Sequence, residues 1–143
     1  MASGIRCVVT GQIDGRGRIA QDGPAPEVDM GEGGKVYEIW RAPHPTGVEP
    51  EGVAWDVSPP NKGSVFRIAE FPPHYASDAP WMHLTQTIDY GCIIEGELTL
   101  VMDGEETILR PGDVFVQRAA NHGWANRSDR RCRMAVILID GAQ

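Results

Sequence analysis

Cysteine is scarce in this chain. Cys7, Cys92 and Cys132 are the only three, an odd number with no Cys-x-x-Cys spacing. That excludes a disulfide framework and a zinc knuckle, and the three read as reduced packing residues. An excess of positive charge is also missing, with 13 Lys and Arg against 20 Asp and Glu for a formal net charge of −7. Without a basic run, no nucleic-acid partner is expected, and the negative balance reads as a solubility feature. Long apolar runs are absent too. The longest, such as 134–139, are far short of a membrane span, so no membrane partner is expected. The opening MASGIRCVVTG has neither a basic start followed by an apolar stretch nor a cleavage site. Together with the reduced cysteines this predicts a cytoplasmic protein. No segment sustains a 3.6-residue apolar period, so helix content is expected to be small. There is no internal repeat and no low-complexity tract.

What is present is a succession of short strand-like runs. With 143 residues the chain is long enough for one domain that buries roughly two-thirds of its unfolded surface. It divides into N-terminal strands and long loops over 1–63 and a barrel core over 64–140. Strands are predicted at 5–9 and 17–20, around a Gly-rich turn. Residues 21–34, rich in Gly, Pro and acid, read as a surface loop. Residues 35–41 alternate and read as a strand. Residues 42–63 carry five prolines and read as irregular, either a cover over a pocket or a surface excursion packed by Trp55. From residue 64 the strands come regularly: 64–71, 83–89, 93–102, 106–109, 114–118, 123–126 and 132–139. Asp103-Gly104 is a hairpin signal and Pro111-Gly112-Asp113 a second turn. Many short strands with Gly and Pro turns favour an all-β sandwich or barrel.

Within this pattern one stretch stands out. A strand points alternate residues to one face. His83, Thr85, Thr87 and Asp89 therefore share a face, and Leu84, Gln86 and Ile88 share the other. A further histidine, His122, returns late in the chain. Polar residues aligned on one face of an otherwise apolar sheet predict the inside of a pocket. Imidazole titrates near neutral pH and can take or give a proton.

Residues 77–128 resemble the cupin superfamily, whose members are double-stranded β-helix (jelly-roll) barrels. The first cupin motif, G-x5-H-x-H-x3/4-E-x6-G, is matched at Ser77, His83, Thr85, Asp89 and Gly96. The second, G-x5-P-x-G-x2-H-x3-N, is matched at Gly112, Arg118, His122 and Asn126. More narrowly, the chain is similar to single-domain small cupins that carry H-x-T-x-T-x-D-Y followed by P-G-D-V and N-H-x-W-x-N. The departures are a threonine at 85 for the second histidine, an aspartate at 89 for the glutamate, a serine at 77 for the opening glycine, and a second motif without its proline. The resemblance implies one divalent transition metal (Fe, Mn, Ni or Zn) on His83, Asp89 and His122. A threonine hydroxyl is a poor fourth ligand, so a metal-free pocket with His83 and His122 in acid/base roles stands beside that reading. A homodimer is also implied.

The expected function is that of a small-molecule enzyme, a lyase or isomerase working by dehydration, decarboxylation or proton transfer. Its substrate is expected to be a small carbonyl or acid metabolite of secondary metabolism or aromatic degradation. Catalysis is assigned to His83, His122 and Asp89, and substrate binding to Thr85, Thr87, Trp81 and Trp124. A metal-dependent dioxygenase and a non-catalytic small-ligand binder are the alternatives. Other residues receive plainer readings. His44 and His74 sit in Pro-rich loops. Asn126 hydrogen-bonds backbone, Asp113 orders its turn, and Tyr90 faces away from the pocket. Glu95 and Glu97 flank a turn glycine in solvent. Arg67 and Arg118 either anchor a carboxylate or belong to a solvated face, the second being preferred.

Overall fold

Strand-forming runs and the turns between them determine the architecture. The structure, a computed structural model, describes residues 4–43, 56–60 and 62–141. Most of the 42–63 segment, with His44 and Trp55, lies outside the described residues. Among the described residues every regular element is a strand: β1 (Arg6–Ile13), β2 (Arg16–Pro24), β3 (Glu27–Gly31), β4 (Gly34–Ala42), β5 (Ser64–Phe71), β6 (Thr87–Glu95), β7 (Leu98–Met102), β8 (Glu105–Leu109), β9 (Val114–Arg118), β10 (Gly123–Ala125) and β11 (Cys132–Asp140). Three antiparallel sheets result. Six strands run in the order β3-β4-β5-β11-β6-β9, three in the order β10-β7-β8, and β1 pairs with β2 alone. The six- and three-stranded sheets enclose one apolar core, in which Val65 and Val136 meet Leu98 and Trp124.

Three expectations need correction. The loop expected over 21–34 is mostly strand. β2 continues to Pro24, and β3 and β4 form a hairpin over Glu32 and Gly33, whose φ values of 53° and 82° are both positive. The glycines and prolines are tolerated there because β3 is an edge strand and β2 belongs to a two-stranded ribbon, where few backbone donors need partners. The strand expected at 83–89 begins only at Thr87. His83 instead makes an isolated bridge with His122, each backbone N–H donating to the other's carbonyl at 2.9 and 3.0 Å. The run 93–102 is two strands, broken at Gly96. That residue has a φ of 73°, and any Cβ there would run into the Arg131 carbonyl, so only glycine fits.

Asn126 ties the loops at one end of the roll. It is fully buried. Its amide nitrogen donates to the carbonyls of Phe71 (3.2 Å), Pro72 (3.0 Å) and Arg130 (2.7 Å), and its oxygen accepts from the Ser128 backbone and hydroxyl.

Candidate active site

A cavity of about 210 Å³ opens between the two main sheets, and His83, Thr85, Asp89 and His122 all line it. Alternation along β6 places Asp89 there, while His83 and His122 are brought in by their isolated bridge. Thr87 and Asp89 are buried and Ile88 and Tyr90 exposed, although regular strand starts only at Thr87. The rest of the wall is mainly apolar and aromatic, with Phe71, Tyr75, Phe115, Trp124 and Met134 among its residues.

The two imidazoles lie together, with ring centroids 4.4 Å apart and planes inclined at 52°. Each is oriented by a backbone carbonyl two residues earlier. His83 Nδ1 is 3.3 Å from the Trp81 oxygen, and His122 Nδ1 is 2.8 Å from the Ala120 oxygen. A carbonyl oxygen only accepts, so in both rings Nδ1 carries the proton and Nε2 is the nitrogen left for the cavity. Trp81 stacks on His83 with centroids 4.3 Å apart and planes 13° from parallel. Trp124 meets His122 and Phe115 edge-on, at 5.9 and 5.0 Å. Burial holds the His83 imidazole below its ordinary value, and the neighbouring His122 pushes it the same way. His83 is therefore neutral at pH 7.

Asp89 is a buried carboxyl whose Oδ1 has no hydrogen-bond partner. Burial pushes its carboxyl up. A hydrogen bond from Thr87 and the nearby His122 and Arg67 oppose that shift without cancelling it. Thr87 does not line the cavity. Its hydroxyl lies 2.9 Å from that of Thr85.

Arg67 departs from the solvated-face expectation. It is buried, lines the cavity and makes paired hydrogen bonds to Glu38, Nε at 2.7 Å and Nη2 at 3.3 Å. It also donates to the carbonyls of Asp56 and Val57 at 2.9 and 3.0 Å. Arg41 holds Asp56 and Ser58 in the same way. The strand alternation of β5 carried the signal, since Val65, Arg67 and Ala69 share a parity. Arg118 is exposed, as is His74. Glu38 and Glu70 were missed, because their burial depends on partners from distant strands, Arg67 for one and Arg133 (2.7 Å) for the other.

Among the described residues no group of three or more His, Cys, Asp and Glu side chains is placed to hold a metal ion. Thr85 stands at the motif position of the second histidine and lines the cavity beside His83 and His122. Two Nε2 atoms line the cavity together with the Asp89 carboxyl, whose Oδ1 has no hydrogen-bond partner.

A fold of this kind, with these histidines lining the cavity of one β-roll, defines a class. Residues 67–138, half of the chain, match the family profile of the cupin domain. The chain belongs to the cupin family. Phomopsin biosynthesis cluster protein C' of Diaporthe leptostromiformis is 52% identical over 80 residues, covering 54% of this chain and 41% of that protein. The cupin-domain-containing oxidoreductase virC of Hypocrea virens is 43% identical over 84 residues, covering 56% and 42%. The chain thus spans about two-fifths of the length of the curated relatives it matches. Among solved structures, the cupin domain of Schizosaccharomyces pombe Cnp3 superposes with a TM-score of 0.58 at 12% identity, covering 98% of this chain and 89% of that one. The double-stranded β-helix expected from the motifs is the fold of this chain.

Proposed function

We propose that the chain is a small-molecule enzyme that moves a proton next to a carbonyl group, as a lyase or isomerase. The observation that carries this reading is the shared orientation of the two imidazoles. Both give Nδ1–H to backbone and leave Nε2 to one cavity. Neutral His83 takes a proton from the carbon beside the substrate carbonyl through its Nε2. His122, carrying its second proton on Nε2, donates to the carbonyl oxygen or to a departing hydroxyl, and the electron pair from the broken C–H bond passes into the enol or new double bond. Two rings this close cannot both be cationic at low cost, so one base and one acid is the favoured pairing. The Asp89 carboxylate, when ionised, balances the His122 charge. The apolar, aromatic wall suits a small acid or carbonyl compound with a planar unsaturated body. A relative named for the phomopsin biosynthesis cluster supports a place in secondary metabolism.

The test is deuterium incorporation, followed by NMR, into a panel of enolisable acids and ketones in heavy water. The wild-type chain is expected to exchange at least one of them. His83→Ala and His122→Ala are each expected to lower that rate by at least ~10²-fold while remaining folded. Near-normal exchange in either variant removes that residue from the mechanism.

A second reading, metal-dependent oxidation, is favoured by one thing, the name oxidoreductase borne by relatives such as virC. It requires a metal bound at His83, Asp89 and His122. Elemental analysis of the purified chain, with oxygen uptake by the same panel in the presence of iron(II), separates the two readings.

A further inference from the structure

The cavity has a second polar end that the proton transfer does not use. Sheet register gives its length. Asp89 pairs with Leu138, and Leu138 with Val65. Phe71 lies further along β5, six positions beyond Val65, and still lines the cavity. At roughly 3.3 Å per residue that is about 20 Å along the strand. The opposite wall joins the same two ends. His122 bridges His83, and Asn126 N–H, later in the same stretch, donates to the Tyr75 carbonyl at 2.9 Å. Residues 122–126 therefore fix the imidazoles at one end and Tyr75 at the other. Between them the wall is apolar, with Phe115, Trp124 and Met134.

Tyr75 is held firmly in place. Its neighbours His74 and Ala76 have φ values of 59° and 51°, a left-handed conformation that L-residues rarely adopt. Backbone hydrogen bonds impose it. His74 N–H donates to the Ser128 carbonyl at 3.1 Å, and Tyr75 N–H to the Pro72 carbonyl at 3.2 Å. The Tyr75 ring lies on Gly34, where a Cβ would come within 3.1 Å of its Cε1, and 5.2 Å from the Phe71 ring. The ring is half-buried and lines the cavity, yet its hydroxyl makes no hydrogen bond to any described residue. Two strained residues that set a polar side chain against a cavity wall are accounted for by a binding role.

The charges at this end choose among ligands. Burial, and after it Glu32, hold the Tyr75 phenol above its ordinary value, so the hydroxyl stays protonated and can donate. Glu32 also lines this end of the cavity. Lys35 is engaged with Glu27 at 3.4 Å, and Glu70 with Arg133 at 2.7 Å. A carboxylate would meet Glu32, whereas an uncharged oxygen would not.

We propose that Tyr75 is a second recognition group, donating its hydroxyl proton to the hydroxyl oxygen of an aromatic ring at the end of the substrate remote from the histidines. The substrate class is then a carbonyl compound bearing a hydroxylated aromatic ring. The inference rests on the histidines being the reacting end of the cavity, but its test reads binding and needs no turnover.

Two enolisable ketones that differ by one hydroxyl, 4-(4-hydroxyphenyl)-2-butanone and 4-phenyl-2-butanone, are titrated into the whole chain and followed by NMR of its amides. The wild type is expected to bind the hydroxylated ketone at least about fivefold more tightly, the worth of one neutral hydrogen bond. Tyr75→Phe keeps the ring on Gly34 and removes only the hydroxyl. It is expected to bind 4-phenyl-2-butanone as the wild type does, which also establishes its folding, and to lose the preference. Equal binding of the two ketones by the wild type overturns the proposal. So does a preference that survives Tyr75→Phe, or binding of neither ketone up to about 10 mM, the range of the weakest specific complexes. A preference abolished by Tyr75→Phe, with no deuterium entering either bound ketone, supports the recognition role and counts against the proton transfer alone.

Discussion

His83 and His122 differ in surroundings although they share a tautomer. His122 is almost fully buried, with a short 2.8 Å bond to Ala120, whereas His83 is half-buried beneath Trp81 with a longer one. Because burial depresses His83, the acid limb of kcat/KM is expected to have its midpoint below the ordinary imidazole value of about 6.5. A pH–rate profile on any substrate found by deuterium exchange checks this, and a midpoint at or above 6.5 contradicts it. Asp89 is shifted the other way. Its folded value lies above its unfolded one, so the native state keeps a proton that the unfolded chain has lost. The stability this provides is complete below the unfolded value and disappears as pH rises through the folded one. At pH 7 the ionised group is a burden, so Asp89→Asn is expected to raise the melting temperature by a few degrees while impairing exchange. An unchanged or lower melting point would show that Thr87, His122 and Arg67 together outweigh burial. At this scale the sequence was informative where alternation operates: His83, Thr85 and Asp89 fall on the face their parity predicts. Arg67 obeyed the same parity, but its burial follows from Glu38 on β4, which no local pattern reveals.

Strand positions were legible where turn chemistry was strong. Asp103-Gly104 and Pro111-Gly112-Asp113 separate β7 from β8 and β8 from β9, and the Asp113 carboxylate accepts from Arg110 N–H at 2.8 Å. They were less legible where glycine has two meanings. In 21–34 it marks strand ends and a hairpin instead of a loop. At Gly96 it splits an apolar run, because the Arg131 carbonyl needs the room. The late start of β6 has another cause: His83 spends its backbone groups on His122, so the chain reaches the cavity as a bridge before it becomes a ladder. Asn126 is the counterpart at the far end of the late motif, where it joins the loops after β5 and β10. Asn126→Ala strands three buried carbonyls and is expected to destabilise the chain by about 2–4 kcal/mol. Urea unfolding measures it, and a loss under 1 kcal/mol would mean that water replaces the amide.

The described residues join an apolar-walled cavity on one face of a six-stranded sheet to an exposed apolar row on the other, made by Phe66, Ile137, Tyr90 and Val116. No helix of the described residues is long and apolar enough to cross a membrane. The three cysteines are free, and burial pushes the Cys132 thiol up to about 12, which suits a packing role. The polar lining of the cavity was open to the sequence because it depends on alternation. The exposed row was not, since it depends on register across four strands that are distant in the chain. Everything proposed about the reaction depends on both imidazoles presenting an unprotonated Nε2 when neutral. Long-range proton–nitrogen NMR of ¹⁵N-histidine-labelled chain at pH 8 reads this directly. The account predicts a protonated Nδ1 and a lone-pair Nε2 for His83 and His122 alike. A proton on Nε2 of either ring contradicts it.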